Sequence, residues 1–153
     1  MMDFKGTLTD ILTEMAVEIR NVYRQKLLKG DKMAKGTLHD NLETDVNVTD
    51  IDFNVFITLP KHWLYVEKGR RKGAKMPPVE PIEQWIKDKG IPYDKINSLA
   101  WYIAKSISKN GIEPTHFLED SVNEVWAKYK DKIDTTIQDL AYNQVWEVLK
   151  GKF

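Results

Sequence analysis

The three histidines are the side chains of this sequence best suited to bind a metal ion, but their spacing argues against a shared site. His39, His62 and His116 lie far apart, with no i, i+4 pair and no H-x-E pattern among them. Such spacings are what bring ligands together on one helix. The chain also contains no cysteine, which excludes disulfides and thiolate chemistry. We therefore predict no metal ligands.

A glycine-rich segment, Gly69-x-x-x-Gly73-Ala74-Lys75, superficially resembles a phosphate-binding loop. It lacks the G-x-x-x-x-G-K-[ST] spacing, and prolines follow it where a phosphate loop would begin a long helix. The sequence also contains no G-x-S-x-G nucleophile motif, and its carboxylates are scattered. The sequence thus predicts no catalytic residue and no cofactor. Because a missing motif does not exclude catalysis, an unrecognised enzyme is one open alternative.

The same segment carries the most concentrated charge in the chain. Five cations and no acid lie within eight residues, just before Pro77-Pro78. Mutual repulsion and the cost of burying charge predict an exposed, flexible loop over residues 66–77 that contacts a partner. With Trp63 and Tyr65 as stacking surfaces, this basic loop also suits a nucleic-acid-binding module, the second functional hypothesis. Its partner-binding residues are predicted to be Lys68, Arg70, Arg71, Lys72 and Lys75.

The overall composition is that of an ordinary globular protein. The 153 residues are 42% hydrophobic and 30% charged, and 23 Lys and Arg balance 23 Asp and Glu. These values predict one domain, residues 1–153, without a global field that would attract nucleic acid or a membrane. No apolar run approaches membrane-spanning length, and the first residues lack the apolar core of a signal peptide. We therefore expect a soluble intracellular product with no membrane partner.

The first part of the chain changes from helical to β periodicity. Apolar residues at steps of three and four predict a helix from Thr7 to about Leu28. From Leu42 the period becomes two, and alternating runs on either side of a polar turn predict an antiparallel hairpin. Phe56 falls on the solvent side of its second strand. The aromatic segment 62–66 is predicted to hold the base of the basic loop against the core.

After the basic loop the periodicity is helical almost to the end. Two short helices are predicted, from about Pro81 to Gly90 and from about Lys95 to Lys109. The second should pack Tyr102 against the core, with Ala100 and Ala104 allowing a close neighbouring helix. A long helix is predicted from His116 to Lys150, with Thr115 as its N-cap. The predicted fold class is α+β: a small antiparallel sheet, formed by the hairpin, packed against an N-terminal helix, the two short central helices and the long C-terminal helix.

The C-terminal helix is longer than a domain of this size needs. At 1.5 Å per residue it would span on the order of 50 Å. Either it breaks near residues 131–134, or its distal part within residues 128–153 protrudes and exposes apolar surface. A protruding part predicts an oligomer, with a subunit interface formed by Phe56, Ile137, Leu140, Trp146 and Leu149.

A succession of turn and packing motifs runs through the middle of the chain. In chain order they are Tyr65-Val66-Glu67-x-Gly69, Met76-Pro77-Pro78 before Trp85, Lys89-Gly90-Ile91, Leu99-Ala100-Trp101-Tyr102-Ile103-Ala104 with Ile107, and Gly111-Ile112-x-Pro114-x-x-Phe117-Leu118. Together with the preceding helix and hairpin, this order resembles a family of tailed-bacteriophage structural proteins. These are the small neck or tail-completion proteins, also described as head–tail joining or minor tail proteins. The resemblance covers roughly residues 42–125.

The resemblance implies a structural virion protein of α+β fold without catalytic residues. It implies a homo-oligomeric ring at the junction between the capsid portal and the tail. The ring would contact neighbouring head-closure or connector proteins and tail proteins, and genomic DNA would pass through its lumen without sequence-specific contact. The expected location is therefore the virion, at the head–tail junction, and the host cytoplasm during assembly.

Overall fold

The computed structural model describes residues 4–30, 42–49, 52–59 and 63–151. Within these residues the chain forms five α-helices and one two-stranded antiparallel sheet, which confirms the predicted α+β class. The elements are α1 (Phe4–Lys29), β1 (Glu43–Val48), β2 (Phe53–Thr58), α2 (Trp63–Lys68), α3 (Glu80–Asp88), α4 (Ile96–Asn110) and α5 (Phe117–Leu149).

The chain divides into two compact units. The first contains the described residues of Met1–Asn21, Thr44–Ile57 and Ser121–Phe153, and the second those of Val22–Glu43 and Thr58–Asp120. Both α1 and α5 contribute residues to each unit. The division therefore falls within helices and not at a linker, and the single domain over residues 1–153 stays a prediction.

In the first unit, β1 and β2 form the predicted hairpin. The backbone N–H of Thr49 donates to the carbonyl of Asp52 at 2.8 Å, and the Thr49 hydroxyl donates to the same carbonyl at 3.1 Å. Exposure alternates along β1, which is the pattern of a strand with one solvated face. Continuing the pairing from Thr49 and Asp52 places Asp45 opposite Phe56 on the outward face. Phe56 is 51% exposed, as its position in the pattern predicted.

Also in the first unit, α1 and α5 lie antiparallel. Lys132 Nζ is 3.6 Å from Glu14 Oε2, and Lys128 Nζ contacts Glu18 Oε1. Moving four residues toward the C-terminus of α1, from Glu14 to Glu18, therefore moves the paired residue four positions toward the N-terminus of α5, from Lys132 to Lys128. The same register places residue 142 of α5 opposite Phe4, where α1 begins. The buried residues of the two helices in this unit are Leu8, Ile11, Leu12, Met15, Ala16, Ile19, Ser121, Val125, Tyr129 and Ile133.

In the second unit, α3 packs against α4. Ala100 and Ala104 of α4 are fully buried, as a close neighbouring helix would require. Tyr102, predicted to be packed, is 71% exposed. That prediction was wrong because a residue two positions from an alanine lies about 200° around the helix, on the side opposite the buried pair.

Two further expectations about the helices are corrected. The aromatic segment before the basic loop is a short helix, α2, which has too few residues to show a helical period in the sequence. The long C-terminal helix is continuous from Phe117 to Leu149, so the alternative with a break near residues 131–134 is wrong. In this stretch Lys128 and Lys132 pair with α1, which supports the helix where its sequence is most polar.

Candidate functional site

The basic loop is bonded through its backbone to the segment around the end of α4. Arg70 and Ile112 exchange two backbone hydrogen bonds, each of 2.9 Å, as an isolated antiparallel bridge. Gly73 N–H donates to the carbonyl of Ser108 at 2.8 Å, and the Ser108 hydroxyl donates to the carbonyl of Ala74 at 2.6 Å. The expectation of a flexible loop did not include these partners. The predicted loop began too early, because residues 66–68 belong to α2; the mobility of the remaining residues stays a prediction.

Two glycines permit the Arg70–Ile112 bridge. Gly69 and Gly111 have φ values of +66° and +75°, a conformation that other residues rarely adopt. A Cβ atom on Gly69 would lie 2.2 Å from the carbonyl oxygen of Ile112, and one on Gly111 would lie 2.5 Å from that of Arg70. Both positions therefore need glycine for the backbone angle and for the close approach of the two segments.

The five cations of the loop differ in their contacts. The guanidinium of Arg70 lies 4.9 Å from the centre of the Tyr65 ring and donates to the carbonyl of Lys75. The guanidinium of Arg70 thus covers the ring of Tyr65, so neither side chain is fully available to a partner. Among the residues that the structure describes, the other four cations have no ion pair, and all are exposed: Lys68, Arg71, Lys72 and Lys75.

Glu67 links α2 to the first turn of α5. Its side chain is 5% exposed, and its carboxylate oxygens accept hydrogen bonds from the backbone N–H groups of Leu118 at 2.8 Å and Glu119 at 2.9 Å. A carboxylate is favourable here because the N-terminus of a helix carries partial positive charge. Thr115, the predicted N-cap, instead donates its hydroxyl to the carbonyl of Val66 at 2.7 Å. The predicted cap was therefore wrong, and nothing in the local spacing around α5 indicates Glu67.

Tyr23 lies in the same unit as Glu67 and is fully buried. Its hydroxyl has no hydrogen-bond partner within the described residues. Burial raises the pKa of this phenol well above its ordinary value, and the charge of Glu67 raises it further. Tyr23 is therefore a neutral core side chain.

Glu67, His116 and Glu119 bring three possible metal-ligand atoms within 4.8 Å of one another. The histidine spacing did not reveal this cluster, because Glu67 comes from a different helix. His116 Nδ1 lies 3.4 Å from Glu119 Oε2, while both oxygens of Glu67 accept backbone N–H groups. The positive end of α5 opposes a cation at this position. We interpret the cluster as a helix cap; His39 and His62 lie outside the described residues.

The C-terminal end of α5 carries apolar side chains on two opposite sides. Ile137 and Leu140 are half-buried and continue the side on which Ile133 is buried. The outer apolar face consists of Tyr142, Val145, Trp146 and Leu149, which are 46–72% exposed.

The structure therefore separates the residues predicted to form the subunit interface. Phe56, Trp146 and Leu149 are exposed, whereas Ile137 and Leu140 lie on the inner side of α5. The predicted set omitted Tyr142 and Val145, although Tyr142 lies four residues before Trp146 and Val145 four residues before Leu149.

None of the described helices combines the length and the apolar character needed to cross a bilayer. Comparisons with protein-family models, with curated proteins and with solved structures found no match.

Proposed function

We propose that this chain is a structural virion protein of a tailed bacteriophage, one subunit of a ring at the head–tail junction that joins the capsid portal to the tail. The observation that carries the proposal is the outer apolar face of α5. Its four large side chains form a contiguous stripe at one end of a helix whose other side already contributes to its own unit. Contiguous exposed apolar surface of this kind is typical of a protein–protein interface.

The size and composition of this face suit a subunit contact. A stable interface buries about 800 Å² on each partner, and aromatic side chains near its centre supply much of the affinity. Tyr142 and Trp146 provide two such side chains, and the ammonium of Lys150 lies 5.1 Å from the centre of the Trp146 ring. In a head-to-tail ring this face would meet a different surface of the next copy, and closure would leave none of it exposed.

The motifs that resemble neck and tail-completion proteins serve packing in this chain. Glu67 caps α5, Gly69 and Gly111 allow the bridge of the basic loop, and Ala100 and Ala104 pack α4. Residues of this kind hold a scaffold together and perform no chemistry, which suits a protein whose function is assembly. Its partners would be further copies of itself and the adjoining connector and tail proteins, with genomic DNA passing through the lumen without sequence-specific contact.

A nucleic-acid-binding module is the second candidate function. The four exposed cations of the basic loop favour it, because phosphate contacts supply most non-specific affinity. Two observations weigh against it: Tyr65 is covered by Arg70, and the chain has a formal net charge of zero. Binding to single-stranded and double-stranded DNA at low salt would separate this candidate from the first.

The test of the proposed function is the composition of the assembled particle. A tagged copy of the gene should place many copies of this chain at the head–tail junction in electron micrographs of purified virions. The double variant Trp146→Asp, Leu149→Asp should fold but fail to enter particles, because buried carboxylates in the contact would be unpaired. Tyr102→Asp, which alters an exposed aromatic on α4, is the control. A single copy per particle, or normal assembly by the double variant, would refute the ring.

A further inference from the structure

We propose that the basic loop of one copy docks on the outward face of the β1–β2 hairpin of the next copy. This contact would orient neighbouring subunits within the ring, so the inference rests on the proposed function. The two surfaces that would meet are then the basic loop and the outward face of the hairpin. The outer apolar face of α5 alone does not identify the surface of the next copy that it contacts.

The outward face of the hairpin is acidic. From residue 42 to residue 59 the chain contains four acids and no Lys or Arg. Glu43 and Asp45 are exposed on the outward side of β1, and Asp52 is exposed just before β2. None of these three has an ion pair within the part of the chain that the structure describes. Asp45 lies opposite the exposed ring of Phe56, so the face combines negative charge with an aromatic surface.

The basic loop is complementary to this face. From Lys68 to Val79 the chain contains five cations and no acid, and four of the cations are exposed and unpaired among the described residues. The aromatic ring of Phe56 also suits a cation, because the face of an aromatic ring attracts positive charge. The two surfaces carry opposite charge within a chain whose net charge is zero. A second copy of this chain is therefore the partner that the charge pattern fits best.

Backbone hydrogen bonds flank the two central cations of the loop. The Arg70–Ile112 bridge and the Gly73–Ser108 hydrogen bond lie on either side of Arg71 and Lys72. Preorganisation of this kind lowers the entropy lost on binding. Exposed ion pairs add little affinity individually, so the contribution of the loop would be to association rate and orientation, while the outer apolar face of α5 would supply most of the affinity.

The contact is heterologous, because a loop on one copy meets a hairpin on the next. Each pairing leaves one loop and one hairpin unpaired at the ends of the growing assembly. Closure of the ring pairs the free loop at one end with the free hairpin at the other. The loop–hairpin contact is therefore compatible with a closed ring and incompatible with a two-fold dimer that pairs identical patches.

The test is charge complementation between two variants of the full chain. Arg71→Glu, Lys72→Glu leaves the loop with three cations and two acids, and Glu43→Lys, Asp45→Lys leaves residues 42–59 with two acids and two cations. Each variant therefore loses most of the charge attraction between the loop and the hairpin, and its self-association at low ionic strength should weaken by about tenfold or more relative to the wild type. An equimolar mixture should associate as the wild type does, because each altered surface meets its opposite on the other variant. High salt should abolish the recovery.

Sedimentation velocity over a range of concentrations measures all of these states, and circular dichroism melts show that each variant is folded. Lys95→Glu, Lys130→Glu reverses two exposed cations that are not part of the loop and should associate normally. If the hairpin variant fails to fold, Glu43→Gln, Asp45→Asn tests the same face without reversal and should weaken association by a smaller factor.

The outcomes separate this inference from the proposed function. Normal self-association by both reversed variants, a mixture no better than its components, or a wild type that stays monomeric at low salt would overturn the loop–hairpin contact. If those results accompany a ring in virions that requires Trp146 and Leu149, the proposed function survives without this contact. If complementation succeeds but the chain is absent from particles, the contact is supported and the virion assignment fails.

Discussion

At the scale of single residues, the glycines of the basic loop have different roles. Gly69 has positive φ and lies against the backbone of Ile112, whereas Gly73 has a similar φ of +75° with nothing within 4 Å of a Cβ position. The pair therefore separates the cost of the backbone angle from the cost of a steric clash. The distinction matters because the bridge at Gly69 attaches the loop to the segment that leads into α5.

We expect Gly69→Ala to destabilise the fold far more than Gly73→Ala. The second substitution should cost about 1 kcal/mol, the price of a left-handed conformation for a residue with a Cβ. The first should cost about 3 kcal/mol or more, because backbone atoms must also move to relieve the clash. Urea unfolding of the two variants and the wild type measures both values. Equal costs for the two variants would show that the Arg70–Ile112 approach is not close in solution.

At the scale of elements, the contact between α1 and α5 contains a cluster of coupled charges. A hydrogen bond from Lys128, followed by one from Tyr129, lowers the pKa of Glu18 below its ordinary value. Burial, followed by the hydrogen bond to Glu18, raises the pKa of Tyr129 to about 12. The stabilisation from Glu18 is therefore lost as the pH falls through its lowered pKa. The stabilisation from Tyr129 is present below the ordinary tyrosine pKa of 10.0 and is lost as the pH rises toward about 12.

The comparison of Tyr129→Phe with the wild type should show this alkaline loss. Below pH 10.0 the wild type should be the more stable protein, because neutral Tyr129 donates to Glu18. Between pH 10.0 and about 12 the difference in unfolding free energy should shrink, because the unfolded phenol ionises first. Tyr142→Phe, an exposed tyrosine of the same helix, should follow the wild type throughout. A difference that stays constant with pH would mean that Tyr129 is not buried against α1.

The sequence predicted the elements better than it predicted their contacts. The helices α1, α3, α4 and α5 and the hairpin followed from hydrophobic periodicity, which depends on local pattern alone. The helix α2 was missed because six residues are too few to establish a period. The cap of α5 was assigned to Thr115 because capping rules consider neighbours in the chain, whereas Glu67 reaches the helix from a distant element.

The basic loop and the apolar face of α5 were predicted only in part, because local sequence patterns do not show contacts between distant residues. Charge counting identified the basic loop, but the pairing of Arg70 with Tyr65 depends on the path of the backbone. Apolar spacing predicted an interface on α5, yet Ile137 and Leu140 share that spacing with the buried Ile133 and belong to the inner side. Periodicity shows that a helix has an apolar face. It does not distinguish two such faces when both are present.

At the scale of the whole molecule, the two kinds of surface suit an assembly built in two stages. The opposite charges of the loop and the hairpin act over a Debye length of about 8 Å at physiological salt and would orient approaching copies. The outer apolar face of α5 acts only on contact and would then hold them together. Oppositely charged surfaces on one chain of zero net charge would allow this without a strong attraction of the proposed ring to DNA.

The end of α5 should be dispensable for folding but required for assembly. The ion-pair register places residue 142 opposite the start of α1, so the seven remaining residues of the helix extend about 10 Å further at 1.5 Å per residue. A chain that ends at Asn143 loses Val145, Trp146 and Leu149 but keeps both lysines that pair with α1. Its melting temperature should fall by no more than about 4 °C, which corresponds to about 1 kcal/mol, while self-association should be lost.

A chain that ends at Asp131 is the matched control for this truncation. It lacks Lys132 and the buried Ile133 as well, and it should unfold or melt far earlier, because the cavity left in the first unit costs several kcal/mol. Calorimetry and sedimentation velocity on the two truncated chains and the wild type give both readouts. If the chain ending at Asn143 unfolds like the shorter one, the end of α5 is part of the core. If it stays folded and still assembles, the outer apolar face is not the surface that holds the ring together.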